Sequence, residues 1–182
     1  MDNPFLVGER VYLRSPERGD LAYIRRWAND PEIRRVTGEV LPMTSVEADA
    51  FWERINSDRD RAWFTVVLRE SDRIIGEAGL LRMFHPWRTT DLSIVLGEKD
   101  TWGQGYGTEA IDLLLDYAFG YLGFHRVSIG VVGFNERALL FYEKVGFRRE
   151  GIQRDGYFYD HAFHDFVMMS ILENEFRAER SS

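Results

Sequence analysis

Apolar side chains alternate with polar ones in some stretches of this chain and recur every three or four positions in others. The switches between these two periods mark out its elements. Residues 10–14, with Val11 and Leu13 alternating, predict a short strand. Ser15 and Pro16 then open a helix, Ser15 as its cap and Pro16 in its first turn, and Leu21, Ile24, Trp27 and Ala28 follow at helical spacing. Asn29-Asp30-Pro31 stops that helix. Thr44 and Glu47 make a capping-box pattern ahead of Ala50, Phe51 and Ile55, which predicts a second.

Strand periodicity takes over next. Residues 62–69 are apolar on both faces, and residues 73–83 follow after the short Glu70-Ser71-Asp72 turn, which predicts an antiparallel hairpin. Residues 91–96 are a third strand of this group. After three closely set glycines the period becomes helical again, with Ala110, Leu113, Leu114, Tyr117, Ala118 and Tyr121 on one stripe. Residues 125–132, with Val127, Ile129 and Val131 pointing inward, form a strand parallel to the one before the helix. Asn135 caps a short helix holding Ala138, Phe141, Tyr142 and Val145 and ended by Gly146. Strands at 147–153 and 163–172 follow, and the polar tail from Glu173 is expected to fray. The predicted order is β-α-α-β-β-β-α-β-α-β-β, an α/β chain with a mixed sheet and helices on its faces.

Composition narrows what such a sheet is for. With 182 residues and no linker or repeat, the expectation is one domain over 1–182, its core at 8–173 and a polar tail at 174–182. There is no cysteine, so disulfides, thiolate metal sites and a cysteine nucleophile are all excluded. No apolar run is long enough to span a bilayer, and Met1-Asp2-Asn3-Pro4-Phe5 lacks the features of a signal peptide, so a cytoplasmic protein without a membrane partner is expected. A net charge of −7 argues against nucleic acid as a partner and mildly favours a cationic substrate. An anionic ligand would need positive potential of local origin, which backbone amides at a helix start supply.

The segment Trp102-Gly103-Gln104-Gly105-Tyr106-Gly107-Thr108-Glu109-Ala110 has the makings of such a site. Glycines at alternate positions leave N–H groups unshielded, and the following helix directs its positive end at them, a cradle for a phosphate or diphosphate. No Lys-Ser or Lys-Thr pair follows, so this is not a P-loop. No acid stands at 127–132 to hold a dinucleotide ribose. A tight turn without a ligand is the alternative reading when the loop is taken alone.

Two motifs together resemble the GCN5-related N-acetyltransferases, in particular their ribosomal-protein alanine and spermidine acetyltransferase branch. Trp102-Gly103-Gln104-Gly105-Tyr106-Gly107 is similar to the family's Q/R-x-x-G-x-G/A loop, with Trp in place of the usual Gln or Arg. The second motif runs from Asn135 through Ala138, Tyr142, Lys144 and Gly146 to Phe147, and is similar to the family's N-x-x-A-x-x-x-Y-x-K-x-G-F stretch. The resemblance covers residues 8–173 and implies an acyl-CoA acyltransferase fold with its sheet splayed between the fourth and fifth strands. It also implies acetyl-CoA as co-substrate, with its diphosphate on the amides from Trp102 to Thr108. Pantetheine would lie along the backbone of Val95 and Leu96 and meet the Asn135 side chain. The acceptor would be a primary amine: a polyamine, an amino sugar or antibiotic, an amino acid, or a protein N-terminus. By resemblance a homodimer is also open.

Amine attack on a thioester makes three demands. The ammonium must lose a proton, the developing oxyanion needs a donor, and the departing thiolate needs a proton. By resemblance Tyr142 is the general acid, although Ala138 and Tyr142 at helical spacing also read as core. Asp91 falls where this branch often carries an acid and is the candidate base. Glu77, Glu98 and a water chain compete with it. His161 and His164 form an H-x-x-H pair without a third ligand at useful spacing, so no metal is expected. Tyr157-Phe158-Tyr159, in a loop after Asp155-Gly156, either lines an amine pocket or packs under a hairpin. The alternative to an enzyme is a non-catalytic acyl-CoA-binding sensor, which would have no use for Tyr142. A nucleotide-dependent oxidoreductase is a third reading.

Overall fold

The computed structural model describes residues 1–180, apart from the Glu179 side chain. Its elements are β1 (Leu6–Val7), β2 (Val11–Arg14), α1 (Leu21–Ala28), α2 (Pro31–Thr37), α3 (Ser45–Ser57), β3 (Ala62–Leu68), β4 (Ile74–Phe84), β5 (Thr89–Leu96), α4 (Tyr106–Asp116), β6 (Arg126–Val132), α5 (Glu136–Val145), β7 (Arg148–Tyr159), β8 (Ala162–Leu172) and α6 (Glu173–Arg180). The strands form one mixed sheet in the order β1-β2-β3-β4-β5-β6-β8-β7. β5 and β6 pair in parallel, as the intervening helix predicts, and the β2–β3, β3–β4, β6–β8 and β7–β8 pairs are antiparallel. The parallel ladder runs only from Thr89↔Arg126 to Asp91↔Ser128, while both strands continue past it.

The chain divides into two compact units. The first comprises Met1–Arg82 and Ser93–Leu114, and the second Met83–Leu92 and the chain from Leu115 onward. In the first, Leu21, Ile24 and Trp27 of α1 bury the stripe that the sequence predicts, against Ile33 and Ala48, with Phe51, Trp52, Val95 and Trp102 packed around them. The helix does not start at Ser15. Glu17 caps a 3-10 turn at Arg18–Asp20 that leads into Leu21. Asp20 is drawn inward there: its carboxylate takes both ends of the buried Arg14 guanidinium at 2.8 and 2.9 Å and the Thr65 hydroxyl at 2.7 Å.

Asn29-Asp30-Pro31 ends α1, but it also begins α2, which the periodicity alone misses. Asp30 Oδ1 accepts the N–H groups of Glu32 and Ile33 at 2.9 and 3.2 Å, Pro31 occupies the first position, and Gly38 closes the helix. The Thr44–Glu47 capping box of α3 forms as predicted.

In the second unit, Val127, Ile129 and Val131 of β6 are buried as their alternation predicts. The buried stripe of α4 and the turn after it is Ala110, Ile111, Leu114, Leu115, Ala118 and Phe119; it keeps Ala110, Leu114 and Ala118 of the stripe read from the sequence but not Leu113, Tyr117 or Tyr121, the last of which is 77% exposed. The helix widens to a π turn over Tyr117–Tyr121, closed by Leu122 N to Tyr117 O at 3.0 Å, which carries Tyr121 off the apolar side.

Two further expectations are corrected. β7 does not stop at 153, and Tyr157-Phe158-Tyr159 is not a loop: Tyr157 pairs with His164, Phe158 with Phe163, and Tyr159 with Ala162. Asp155-Gly156 is absorbed as an irregularity in the strand, with Asp155 N donating to Asp165 Oδ1 at 3.1 Å. The reversal falls at Asp160 and His161, both left-handed, the conformation a two-residue hairpin requires.

The tail does not fray over its described part. α6 buries Phe176 to 5% exposure, with its ring 5.4 Å from that of Phe119, a burial worth about 2–3 kcal/mol. The last two residues of the predicted tail lie outside the described residues.

Candidate active site

The site residues expected from the sequence fall on both units. In the first unit, Trp102–Gly105 links the 3-10 turn Lys99–Thr101 to α4. Gly103 and Gly105 have φ of +75° and +86°, the left-handed region where a side chain is strained. A Cβ at Gly103 would meet nothing within 4 Å, so that side of the loop is bare. Tyr106, Gly107 and Thr108 are the first residues of the eleven-residue α4, and its first internal bond runs from Glu109 N to Gly105 O at 3.1 Å. The N–H groups ahead of Glu109 therefore lack intrahelical acceptors. Amides without intrahelical acceptors at the positive end of a helix suit a diphosphate; Gly103 and Gln104 are exposed, whereas Gly107 is buried.

The side chains of the loop bond back to the protein's own backbone. Trp102 Nε1 donates to the Leu96 carbonyl at 2.7 Å, and its ring packs on the Leu21/Ile24/Trp27 cluster along with Val95. The Gln104 side-chain amide donates to the Asp100 carbonyl. Trp102 and Gln104 thus shape the loop, which leaves the backbone to meet a ligand.

Lys99, next to the loop, is paired with Asp30 and Glu32 at 2.9 and 2.8 Å. One partner of the loop has no motif to announce it. Arg10, nearly a hundred positions earlier in the chain, holds the Gln104 carbonyl at 2.9 Å.

Two carboxylates of this unit, both weighed as bases, are opposites. Glu98 accepts from the Trp27 indole and from Arg73, each at 2.9 Å, and from Arg26. Burial raises its pKa, but these donors outweigh it and hold the group below the ordinary value. Glu77 on β4 has one such donor, the Trp63 indole at 2.9 Å. Burial pushes its pKa up to about 7, the indole works against this, and the Glu39 charge adds to it.

In the second unit, Asn135 caps α5: its Oδ1 accepts Ala138 N at 3.2 Å, leaving the side-chain NH2 without a partner among the described residues. Tyr142 lies in the last turn of α5, 6% exposed, its ring 5.1 Å from Phe141 and 5.5 Å from Phe147. Phe147 N returns to the Tyr142 carbonyl at 2.9 Å over left-handed Gly146, which locks the turn. The Tyr142 hydroxyl has no hydrogen-bond partner among the described residues. Burial drives its pKa far above the ordinary phenol value, so it carries its proton throughout the neutral range.

Asp91 makes the last pair of the parallel ladder, opposite Ser128. It lies in the field of Arg126, which is bonded to Glu150 at 2.6 Å and to Ser170 at 3.0 Å.

The aromatic triplet and the histidines belong to one packed hairpin. Phe134 contacts Tyr157, Tyr159 and His164, and His164 Nε2 lies 3.2 Å from the Tyr159 carbonyl. Among the described residues, no group of three or more His, Asp or Glu side chains is placed to hold a metal ion.

A bare glycine turn at a helix start, a partly paired parallel ladder and a buried protonated phenol in the N-x-x-A-x-x-x-Y motif are what the acetyltransferase resemblance implies. The acetyltransferase (GNAT) domain family matches residues 10–148. The chain belongs to this family, and it is an N-acetyltransferase with acetyl-CoA as its co-substrate.

The spermidine N(1)-acetyltransferase of Escherichia coli K12 is 27% identical over 172 residues, covering 94% of this chain and 91% of its own. N-acetyltransferase p20 of Bacillus licheniformis is 28% identical over 178 residues, covering 94% and 97%. The crystal structure of spermidine N-acetyltransferase from Vibrio cholerae in complex with CoA and spermine superposes with a TM-score of 0.86 at 26% identity, covering 93% and 99%. No described helix is long and apolar enough to cross a membrane.

Proposed function

We propose that this chain is a single cytoplasmic N-acetyltransferase domain that acetylates a primary amine of a small polycationic substrate of the polyamine type. The observation that carries the reaction is the Gly103–Thr108 backbone, with two left-handed glycines at the start of α4. The acceptor class is supported by the two spermidine acetyltransferase relatives, each aligned over more than nine-tenths of this chain, and by the net charge of −7. The acidic balance counts against a nucleic-acid partner.

Acetyl-CoA, when bound, supplies an activated acetyl thioester. The amides from Gly103 to Thr108 hold its diphosphate, and the backbone of Val95 and Leu96 with the Asn135 side chain orients the pantetheine arm. The incoming ammonium gives up one proton before attack and a second as the amide forms. The leaving sulfur takes one proton, and the other passes to solvent. Tyr142 donates the sulfur's proton and is restored by the one the amine gives up, a role supported by a buried hydroxyl that holds its proton and has no competing partner among the described residues.

Asp91 is the base that sequence position favours. Glu77 has the stronger chemical claim, because a carboxyl with a pKa of about 7 is poised to take a proton at neutral pH, whereas Glu98 is occupied by its three donors.

The test is thiol release from acetyl-CoA with a panel of spermidine, spermine, a short diamine, an amino sugar, an amino acid and a peptide with a free N-terminus. Turnover is expected with the polyamines. Faster turnover with the peptide or sugar overturns the acceptor class. Tight coenzyme A binding with no turnover on any amine returns the chain to the sensor reading.

A further inference from the structure

Arg10 is the residue just before β2, and nothing in its sequence neighbourhood ties it to the glycine loop. Its guanidinium nevertheless meets that loop at several points. Nη1 donates to the Gln104 carbonyl at 2.9 Å and Nε to Glu109 Oε2 at 3.1 Å, and the guanidinium carbon lies 5.0 Å from the centre of the Tyr106 ring.

Glu109 completes the clamp from the first turn of α4. Its Oε1 accepts the backbone N–H groups of Arg10 and Val11 at 2.7 and 3.1 Å. Burial raises the Glu109 pKa, but these donors and the guanidinium outweigh it and keep the carboxylate charged. The approach is close enough that a Cβ on Gly8 would lie 2.4 Å from Oε1.

We infer that Arg10, held by Glu109, is a positioning residue for acetyl-CoA that fixes the direction in which the loop amides point. The argument is one of peptide geometry. In a trans peptide the C=O and the N–H of the same plane point opposite ways, and no peptide bond in the described chain is cis. By holding the Gln104 carbonyl, Arg10 turns the Gly105 N–H of the same peptide plane away from itself. Arg10 also bounds its own side of the loop, since a Cβ on Gly105 would lie 3.0 Å from its Nη2. Without this anchor the two left-handed glycines leave the Gln104–Gly105 peptide free to rotate, and ordering it would then draw on binding energy.

The inference rests on the proposed reading of the loop as a diphosphate site, and the test separates the two. Kinetics are measured for the wild type, Arg10→Gln and Arg10→Lys with acetyl-CoA and with S-acetylpantetheine, a thioester that lacks the diphosphate. For Arg10→Gln the ratio of kcat/KM values, acetyl-CoA over acetylpantetheine, is expected to fall about ten-fold, through KM rather than kcat. Arg10→Lys should fall between the two, because an ammonium keeps the charge but not the fork.

Equal losses on both thioesters, or an unchanged ratio, overturn the inference and leave the diphosphate reading intact. A wild type with no preference for acetyl-CoA removes that reading, and the inference with it. If Arg10→Gln does not fold, Arg10→Lys decides alone: a reduced ratio supports the inference and an unchanged one overturns it.

Discussion

The glycine loop and the last turn of α5 prepare for chemistry in contrasting ways. The loop offers backbone and is braced by polar side chains: Trp102 on the Leu96 carbonyl, Gln104 on Asp100, and Arg10 and Glu109 from the side. Tyr142 offers a side chain and is braced by rings, its hydroxyl left without a partner among the described residues. A site for a fixed anion is best built from dipoles that never change charge. A proton donor must have a bond to make later, so leaving it unpaired keeps the proton available.

The same contrast recurs between two carboxylates of one unit. Glu98, with three donors, is held charged and serves the fold, while Glu77, with one donor, sits near neutrality and is free to titrate.

The sharpest way to break the contrast is Tyr142→Phe. The hydroxyl makes no hydrogen bond among the described residues, so the thermal midpoint should hold while turnover falls by about ten- to ten-thousand-fold with acetyl-CoA affinity little changed. Steady-state kinetics and a melting curve check both halves. Unchanged turnover would remove the phenol from the mechanism.

Glu77→Gln should lower kcat/KM by about a hundred-fold near neutral pH and abolish the rise of the wild-type profile through about pH 7. It also makes a stability prediction of definite sign. The folded carboxyl, with its pKa raised from 4.5 to about 7, binds more protons than the unfolded one between those values. The wild type therefore loses stability, on the order of 3 kcal/mol, as pH rises through that window. Glu77→Gln should not, so the two melting curves should diverge from pH 5 to pH 8. If instead the profile follows Asp91→Asn, the base lies on β5.

Gly105→Val is the mildest break. A β-branched residue at a φ of +86° strains the loop by about 1–3 kcal/mol, which should weaken coenzyme A binding by about ten- to a hundred-fold. Calorimetric titration reads this directly, with kcat at saturation the quantity expected to change least.

Much of this was legible in the chain. The capping box of α3, the Asn135 cap and Gly146 stop of α5, the alternation of β6 and the glycine turn ahead of α4 all formed as their local patterns predict. The misreadings share one cause: a local signal with two meanings. Asn29-Asp30-Pro31 ends a helix and starts another. Asp155-Gly156 reads as a turn but is carried inside β7, because the long pairing with β8 outweighs a two-residue preference. The polar tail holds one large apolar residue, Phe176, and docking that residue suffices to order α6.

By itself, then, the sequence determined most of the elements, the glycine turn and the motif that carries Tyr142. Each of these depends on residues within a few positions of one another. Only the tertiary structure decided that Glu77 rather than Glu98 is left titratable, that the Tyr142 hydroxyl is unpaired among the described residues, and that Arg10 orients a loop nearly a hundred residues away. Burial and charge pairing are properties of neighbours in space, and no window along the chain contains them.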